Sequence, residues 1–318
     1  MSEADEPRQP ELEAVVRAVV ERHVGHPRRV APLHGGLSNH AFDVETDREH
    51  VVVRLGDHPD KLDAFERERR AAERARSAGV PTQVIGALGR EGAWAYTIAQ
   101  RLPGGPAVDH PERLLILEEL GRIARLVHSI PTEGFGHRFT WAGEASRSIP
   151  PGAATWRAFL TDELGAEDRL SRLAQMDMIS DRQAESLRQT LAEVGAWDGR
   201  PVLNHGDLRL KNIVVDEEGR ILGVIDWESA VSVVGPHWDL SIALHDLSID
   251  AKQAFLTGYD IPDEDVRQAA PFWRLFNLLN YVPTIDQLVE ADDTAEIARI
   301  RTRLSGALDL YAADQVQD

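Results

Sequence analysis

The sequence predicts an α+β protein of two lobes, a small one built on an antiparallel sheet and a larger, mainly helical one. Three observations point there. The chain has 318 residues, too many for one small core and enough for two. Apolar residues alternate through much of the first hundred positions and recur at helical spacing through most of the rest. A "PGGP" break at 103–106 separates the two regimes. The expected division is 1–102 for the N-terminal lobe, 103–106 for a hinge, and 107–318 for the C-terminal lobe.

Each element follows from local pattern. "PELEAVVRAVVERHV" (10–24) spaces apolar side chains as an amphipathic helix after a proline. Residues 29–55 alternate and end in "VVVRL", which predicts two or three antiparallel strands with turns at Gly35-Gly36 and near Asp47-Arg48. "KLDAFERERRAAERARSAGV" is a charged helix closed by Gly79, with Pro81 after it. Residues 82–102 read as two more strands around a Gly-rich turn. Beyond the break, "ERLLILEELGRIARLVHSI" is a long amphipathic helix, and 131–152 is a loop rich in Gly, Pro and Ser. "TWRAFLTDEL" and "DRQAESLRQTLAEVGAW" are further helices. "NIVVD" and "RILGVIDW" are short strands around the turn "EEGR", and the remainder from Trp238 is helical.

Composition narrows the function classes. The 53 acidic and 35 basic side chains give a net charge of −18. Such a surface repels nucleic acid and anionic membrane, whose binding rests on phosphate neutralisation by Lys and Arg. Either adaptation to a saline cytoplasm or a coding bias with an ordinary acidic surface accounts for the charge. There are no cysteines, which removes disulfides, thiolate metal sites and cysteine nucleophiles together. "MSEADEPRQPE" lacks the apolar core of a signal peptide, and no apolar run is long enough to cross a bilayer. A cytoplasmic protein is expected.

The chemistry concentrates in "LNHGDLRLKNIVVDEEGRILGVIDWESA" (203–230), which carries His205, Asp207, Asn212 and Asp226. Phosphoryl transfer needs a positioned hydroxyl and metal-neutralised phosphates in line with it. A carboxylate must meet the acceptor hydroxyl, while an amide oxygen and a second carboxylate hold Mg²⁺, an ion that prefers oxygen donors. Asp207 and Asn212 put a base and a metal ligand on one loop. Two short strands and a turn then deliver Asp226.

"HGDLRLKN" followed by "VIDWE" resembles the catalytic and metal-binding motifs of the aminoglycoside phosphotransferase and choline kinase family, relatives of the protein kinases. The resemblance implies a two-lobed protein-kinase-like fold and an ATP- and Mg²⁺-dependent phosphotransferase with an alcohol group as acceptor. It makes Asp207 the catalytic aspartate, Asn212 and Asp226 the metal ligands, and His205 a support for the loop. Asp226 stands where protein kinases begin Asp-Phe-Gly. "LHGGLSNHAFDV" resembles the family's nucleotide loop, bringing Gly35, Gly36 and Ser38 to the phosphates. Arg54 replaces the kinase lysine, and its fork-shaped guanidinium can still pair with phosphate. Glu68, with Glu66 as the alternative, is its helix partner.

"TIAQRLPGGP" resembles the hinge, where the backbone around Gln100 and Leu102 would meet adenine. Asp239 in "GPHWDLSIAL" would brace the catalytic loop, and His128 reads as a packed core histidine. Arg209 can either neutralise the transferring phosphoryl group or face solvent. "GFG" (134–136) and "TWRAFL" resemble hygromycin-type phosphotransferases, which points to an aminoglycoside-type antibiotic as substrate. Acidic residues such as Glu228, Asp286, Glu290, Asp292 and Asp293 could then meet a polycation. The alternatives are a kinase acting on a sugar, amino alcohol or similar metabolite, and a catalytically silent scaffold. The presence of Asp207, Asn212 and Asp226 together argues against the last.

Overall fold

A computed structural model describes residues 9–33, 39–143, 152–245 and 247–309. Gly35, Gly36 and Ser38 lie outside the described residues. The chain divides into two compact units, 1–110 with 210–228, and 111–209 with 229–318. Segment 210–228, which the sequence placed with the helical lobe, therefore packs with the first unit.

In the first unit, α1 (Gln9–His23) precedes five antiparallel strands: β1 (Pro27–Leu33), β2 (His40–Thr46), β3 (His50–Gly56), β4 (Ile85–Glu91) and β5 (Trp94–Gln100). They lie in the order β1-β2-β3-β5-β4. The β2–β3 turn closes on Thr46, whose hydroxyl accepts the Arg48 and Glu49 N–H groups at 3.1 and 2.8 Å. Leu12, Val16, Val19 and Val20 share one face of α1 and join a core with Phe42, Val44, Val51, Val53, Leu55 and Ile98. Each such side chain, fully buried, contributes about 1.5–3 kcal/mol. Because strand residues alternate faces, Arg54 leaves β3 on the side opposite Val53 and Leu55. That side carries α2 (Lys61–Ser77), which ends as Gly79 takes φ +92°.

The break at 103–106 is more than a linker. Gly105–Pro106 forms a short strand, β6, paired with β10 (Ile213–Val215), which pairs in turn with β11 (Ile221–Val224).

The second unit is mainly helical. It contains α3 (Arg113–His128), a small hairpin of β7 (Thr132–Glu133) and β8 (Thr140–Trp141), and a turn, α4 (Trp156–Ala158). Residues Phe159–Glu163, expected to continue an α-helix, wind as a π-helix instead. Helix α5 (Ala166–Gln175) was not foreseen, and α6 (Asp181–Gly195) opens on a Ser180–Gln183 capping box. A two-stranded sheet, β9 (Pro201–Asn204) with β12 (Val231–Val234), also escaped the sequence reading. Four helices follow: α7 (His237–Ala243), α8 (Ile249–Tyr259), α9 (Asp263–Glu290) and α10 (Thr294–Asp309). Helix α9 contains Pro283, which removes the N–H that Leu279 C=O would accept. Arg169 replaces it, donating to that oxygen at 2.9 Å. Helices α3 and α8 approach at Gly121 and Gly258, where an added Cβ would strike the opposing backbone.

His237 sits among Trp197, Phe272 and Trp273 and accepts the Trp273 indole N–H at 3.1 Å. Burial, and then nearby His128, lower its pKa from 6.5 to about 4. The fold therefore favours the neutral ring, and its penalty grows as pH falls from about 6.5 to about 4. That linkage is worth up to about 3 kcal/mol. Urea unfolding at pH 7 and pH 5 should show a smaller acid loss for His237→Gln, which keeps an acceptor for Trp273. An unchanged acid loss would remove His237 as its source.

Candidate active site

Arg54 is the centre of the first unit's polar cluster. Its guanidinium pairs with Glu68, which has no exposed surface, and lies 3.3 Å from Asp226 Oδ1. Glu66, the other candidate partner, is exposed. The Arg54 guanidinium also lies 5.3 Å from the centroid of the Phe65 ring. Burial works against its charge, but Glu68, Asp226 and Glu228 outweigh this and raise its pKa. Burial raises the Glu68 pKa, and Asp226 and Glu228 add to the rise while Arg54 opposes it. Glu68 Oε1 has no hydrogen-bond partner among the described residues.

The β10–β11 hairpin brings two predicted metal ligands together. Leu210–Asn212 forms a 3₁₀ turn with Asn212 buried, and the Asn212 C=O accepts the Ile225 N–H at 2.9 Å. That bond ties Asn212 to the residue before Asp226. Asp226 itself adopts φ +66°, and its side chain is 45% exposed. An amide oxygen and a carboxylate of this kind form an oxygen donor set that fits Mg²⁺. Trp227 is fully buried and donates to Val224 O at 3.0 Å.

Glu228, expected among the acidic residues that could meet a polycation, already has partners within the protein. It pairs with Lys61 and accepts a hydrogen bond from Asn39 at 3.0 Å. Burial disfavours its charge, but the bonds from Lys61 and Asn39 outweigh this and lower its pKa. Neither Lys61 nor Asn39 was singled out from sequence. Lys61 stands 167 positions from its partner, beyond any local pattern.

In the stretch expected to meet the base, the Gln100 N–H donates to Val84 O at 2.8 Å, so the sheet already uses it. The Leu102 C=O accepts from Gly104 N and Arg101 Nη1, both at 2.9 Å. The Leu102 N–H has no acceptor among the described residues. Arg101 is anchored by Asp43 at 3.2 Å, and Asp43 also meets His50 at 2.8 Å.

In the second unit, the loop after β9 is fixed by one buried carboxylate. Asp239 Oδ2 accepts the His205 N–H at 2.6 Å, and Oδ1 accepts the Gly206 N–H at 2.8 Å. His128 Nε2 lies 3.1 Å from Oδ2, and its other ring nitrogen is 2.9 Å from the Tyr259 hydroxyl. Asn204 Oδ1 accepts the Asp239 N–H at 3.1 Å. Gly206 has φ +86°, and a Cβ there would strike the Ser229 carbonyl oxygen. Only glycine suits that turn. The Asp207 N–H then donates to His205 Nδ1 at 3.2 Å.

The Asp207 carboxylate is partly exposed and lies 3.0 Å from Arg209 Nε. The Arg209 Nε–H is not aligned on an acceptor, so this is an ion pair without a hydrogen bond. Asp286 pairs with Arg172 at 3.0 Å. Glu290, Asp292 and Asp293 are exposed at and just beyond the end of α9. A cavity of about 390 Å³ lies beside α5 and α6, lined in part by Arg157, Thr161, Glu167 and Asp168. None of the expected substrate residues borders it.

The sequence profile of the phosphotransferase enzyme family matches residues 29–276, which include the Arg54 cluster, the hairpin and the Asp207 loop. The chain belongs to this family. Within the phosphotransferase family, it is 24% identical over 188 residues to an aminoglycoside 3'-phosphotransferase of Streptomyces ribosidificus. It is 26% identical over 190 residues to one of Streptomyces fradiae. Each match covers 57% of this chain, and they cover 65% and 64% of the relatives, just under two thirds of their length. The fold resembles the crystal structure of aminoglycoside phosphotransferase APH(4)-Ia, with a TM-score of 0.67 at 20% identity over 94% of this chain and 98% of that one. It also resembles macrolide 2'-phosphotransferase MphH from Brachybacterium faecium, with a TM-score of 0.60 at 18% identity over 91% and 97%. Among the described residues, no helix is long and apolar enough to cross a membrane.

Proposed function

We propose that this chain transfers the γ-phosphoryl group of ATP to a hydroxyl group of a small molecule, with an aminoglycoside-type antibiotic as the leading substrate class. The observation that carries the reading is the first unit's cluster, in which Arg54 joins Glu68 to Asp226 while Asn212 is bonded to the residue before Asp226. In this reading Arg54 contacts the nucleotide phosphates and the Leu102 N–H meets an acceptor nitrogen of the base. Asn212 and Asp226 hold Mg²⁺, which supplies charge neutralisation at the phosphates when bound. Asp207 orients the acceptor hydroxyl and takes its proton. Arg209, already paired with Asp207, neutralises charge on the transferring phosphoryl group. An aminoglycoside acceptor draws support from the two Streptomyces relatives and from a ternary complex of an APH(4)-Ia variant with AMP-PNP and hygromycin B.

A metabolite kinase is the second reading. Two of the acidic residues expected to meet a polycation, Glu228 and Asp286, are already paired with Lys61 and Arg172. ATP consumption across aminoglycosides, macrolides, sugars and amino alcohols, with mass analysis of the products, separates the two. Turnover confined to sugars or amino alcohols would overturn the aminoglycoside assignment. ATP consumption with none of them would overturn the acceptor class altogether.

Arg54→Ala gives a sharper result. It removes a charge-assisted contact to nucleotide and should weaken Mg-ATP binding by roughly 1.5–3 kcal/mol. It also leaves Glu68 buried without a counter-charge, so the unliganded protein should lose stability. Arg54→Lys should be milder in both, because it keeps the charge but not the fork. Calorimetric titration of a non-hydrolysable ATP analogue checks this. Unchanged affinity for Arg54→Ala would remove it from the phosphate site.

A further inference from the structure

We propose that Lys61 and Glu228 are positioning residues that hold the metal-binding turn at Asp226, an inference that rests on the phosphotransferase reading above. Asp226 occupies a left-handed conformation, φ +66°, which side-chain-bearing residues adopt only when the surroundings fix it. On its upstream side the turn is fixed by the strand pair Ile213↔Val224 and by the Ile225–Asn212 bond. Its downstream side is fixed by the buried Trp227 and by the grip of Lys61 and Asn39 on Glu228.

The Lys61 side chain is itself immobilised. It is only 10% exposed, and its stem crosses Gly56, where an added Cβ would strike it. Its ammonium group lies 5.5 Å from the centroid of Phe65, the ring that Arg54 also overlies. Helix α2 thus holds the turn at two points: Lys61 binds Glu228, and Glu68 binds the arginine that meets Asp226. Charge explains why both points matter. Glu68, Asp226 and Glu228 present three carboxylates to two cations in this cluster. With Glu228 satisfied by Lys61 and Glu68 by Arg54, Asp226 keeps coordination capacity for a cation. Without Lys61, three carboxylates would share one guanidinium, Glu228 would compete with Asp226 for Arg54, and the downstream side of the turn would lose its anchor.

The test measures metal binding, with Mn²⁺ in place of Mg²⁺. Electron paramagnetic resonance follows Mn²⁺ bound in the presence of AMP-PNP, and metal-free AMP-PNP binding and melting temperature are measured alongside. Lys61→Met and Glu228→Gln should each weaken Mn²⁺ by about 10- to 100-fold, the usual cost of losing a partner that orients a ligand. Lys61→Arg should recover most of the loss. The double variant should be no weaker than the weaker single, because both remove one pair. Metal-free AMP-PNP binding should not change. Glu228→Gln alters no volume and keeps the test valid if Lys61→Met folds poorly.

Unchanged Mn²⁺ affinity in both single variants, with or without a lower melting temperature, overturns the proposal. So does a double loss equal to the product of the singles. A loss of metal-free AMP-PNP binding in Lys61→Met would make Lys61 a phosphate contact and overturn it too. If the unaltered protein binds no Mn²⁺ with AMP-PNP, the phosphotransferase reading itself fails.

Discussion

Asp207→Asn is expected to leave the protein folded and able to bind Mg-ATP while turnover falls by about 100- to 10,000-fold. The substitution keeps the size and shape of the side chain but removes its capacity as a base. Folding should survive because the loop is fixed by its backbone: the His205 and Gly206 N–H groups end on Asp239, and the Asp207 N–H ends on His205. The lost ion pair with Arg209 involves side chains that are 22% and 35% exposed, and pairs of that kind contribute about 0–1 kcal/mol. Asp226→Asn supplies the contrast. In the proposed role of Asp226 it removes a metal-ligand charge, so it should raise the Mg²⁺ requirement and weaken nucleotide binding. Phosphate transfer to the best acceptor, with ATP and Mg²⁺ titrated for each variant, decides between them. Near-normal turnover in Asp207→Asn would end its assignment as the base, and the phosphotransfer reading with it.

Much of this was legible because it is local. Asn212 and Asp226 are linked by a hairpin whose two apolar strands and glycine turn are plain in "NIVVDEEGRILGVIDW". Arg54 and Glu68 were matched through the family resemblance, and Glu68 shares the buried face of α2 with Phe65 and Ala72. The contacts that escaped are long-range and polar. Lys61 opens a helix, where an acidic residue is the usual expectation, and its partner lies on another element. The β9–β12 pair was missed because four-residue strands carry too little pattern to separate them from loop. The π-helical turn at Phe159–Glu163 follows from packing of Phe159 and Leu160 in the core, which no local periodicity encodes. The partners of Glu228 escaped for a related reason: an acidic side chain after a motif looks available until its partners are seen.

Asp239→Asn should have the largest effect on stability, a loss of about 3–5 kcal/mol, because it removes one member of a fully buried charge network. Asp239 has no exposed surface and accepts from two backbone N–H groups, with His128 at 3.1 Å. An asparagine offers one acceptor oxygen, so its NH₂ group must face another donor. At least one backbone N–H of the His205–Gly206 turn is then left buried without a partner, and the loop that carries Asp207 loses its fixed position. Turnover should fall as well, since displacement of a catalytic group by about 1 Å can cost 100-fold. The pH dependence identifies the cause. Burial opposes the Asp239 charge, but the hydrogen bond and charge of His128, then His205, outweigh it and lower the pKa. A carboxyl depressed in this way confers stability that is fully present above its unfolded pKa and lost as pH falls through its lower folded value. Urea unfolding of both proteins from pH 7 downward should therefore show a wide gap at neutral pH that closes only in strong acid, below the ordinary carboxylate range. A gap under about 0.5 kcal/mol at pH 7, the worth of an ordinary surface change, would show that the loop is held by something other than Asp239.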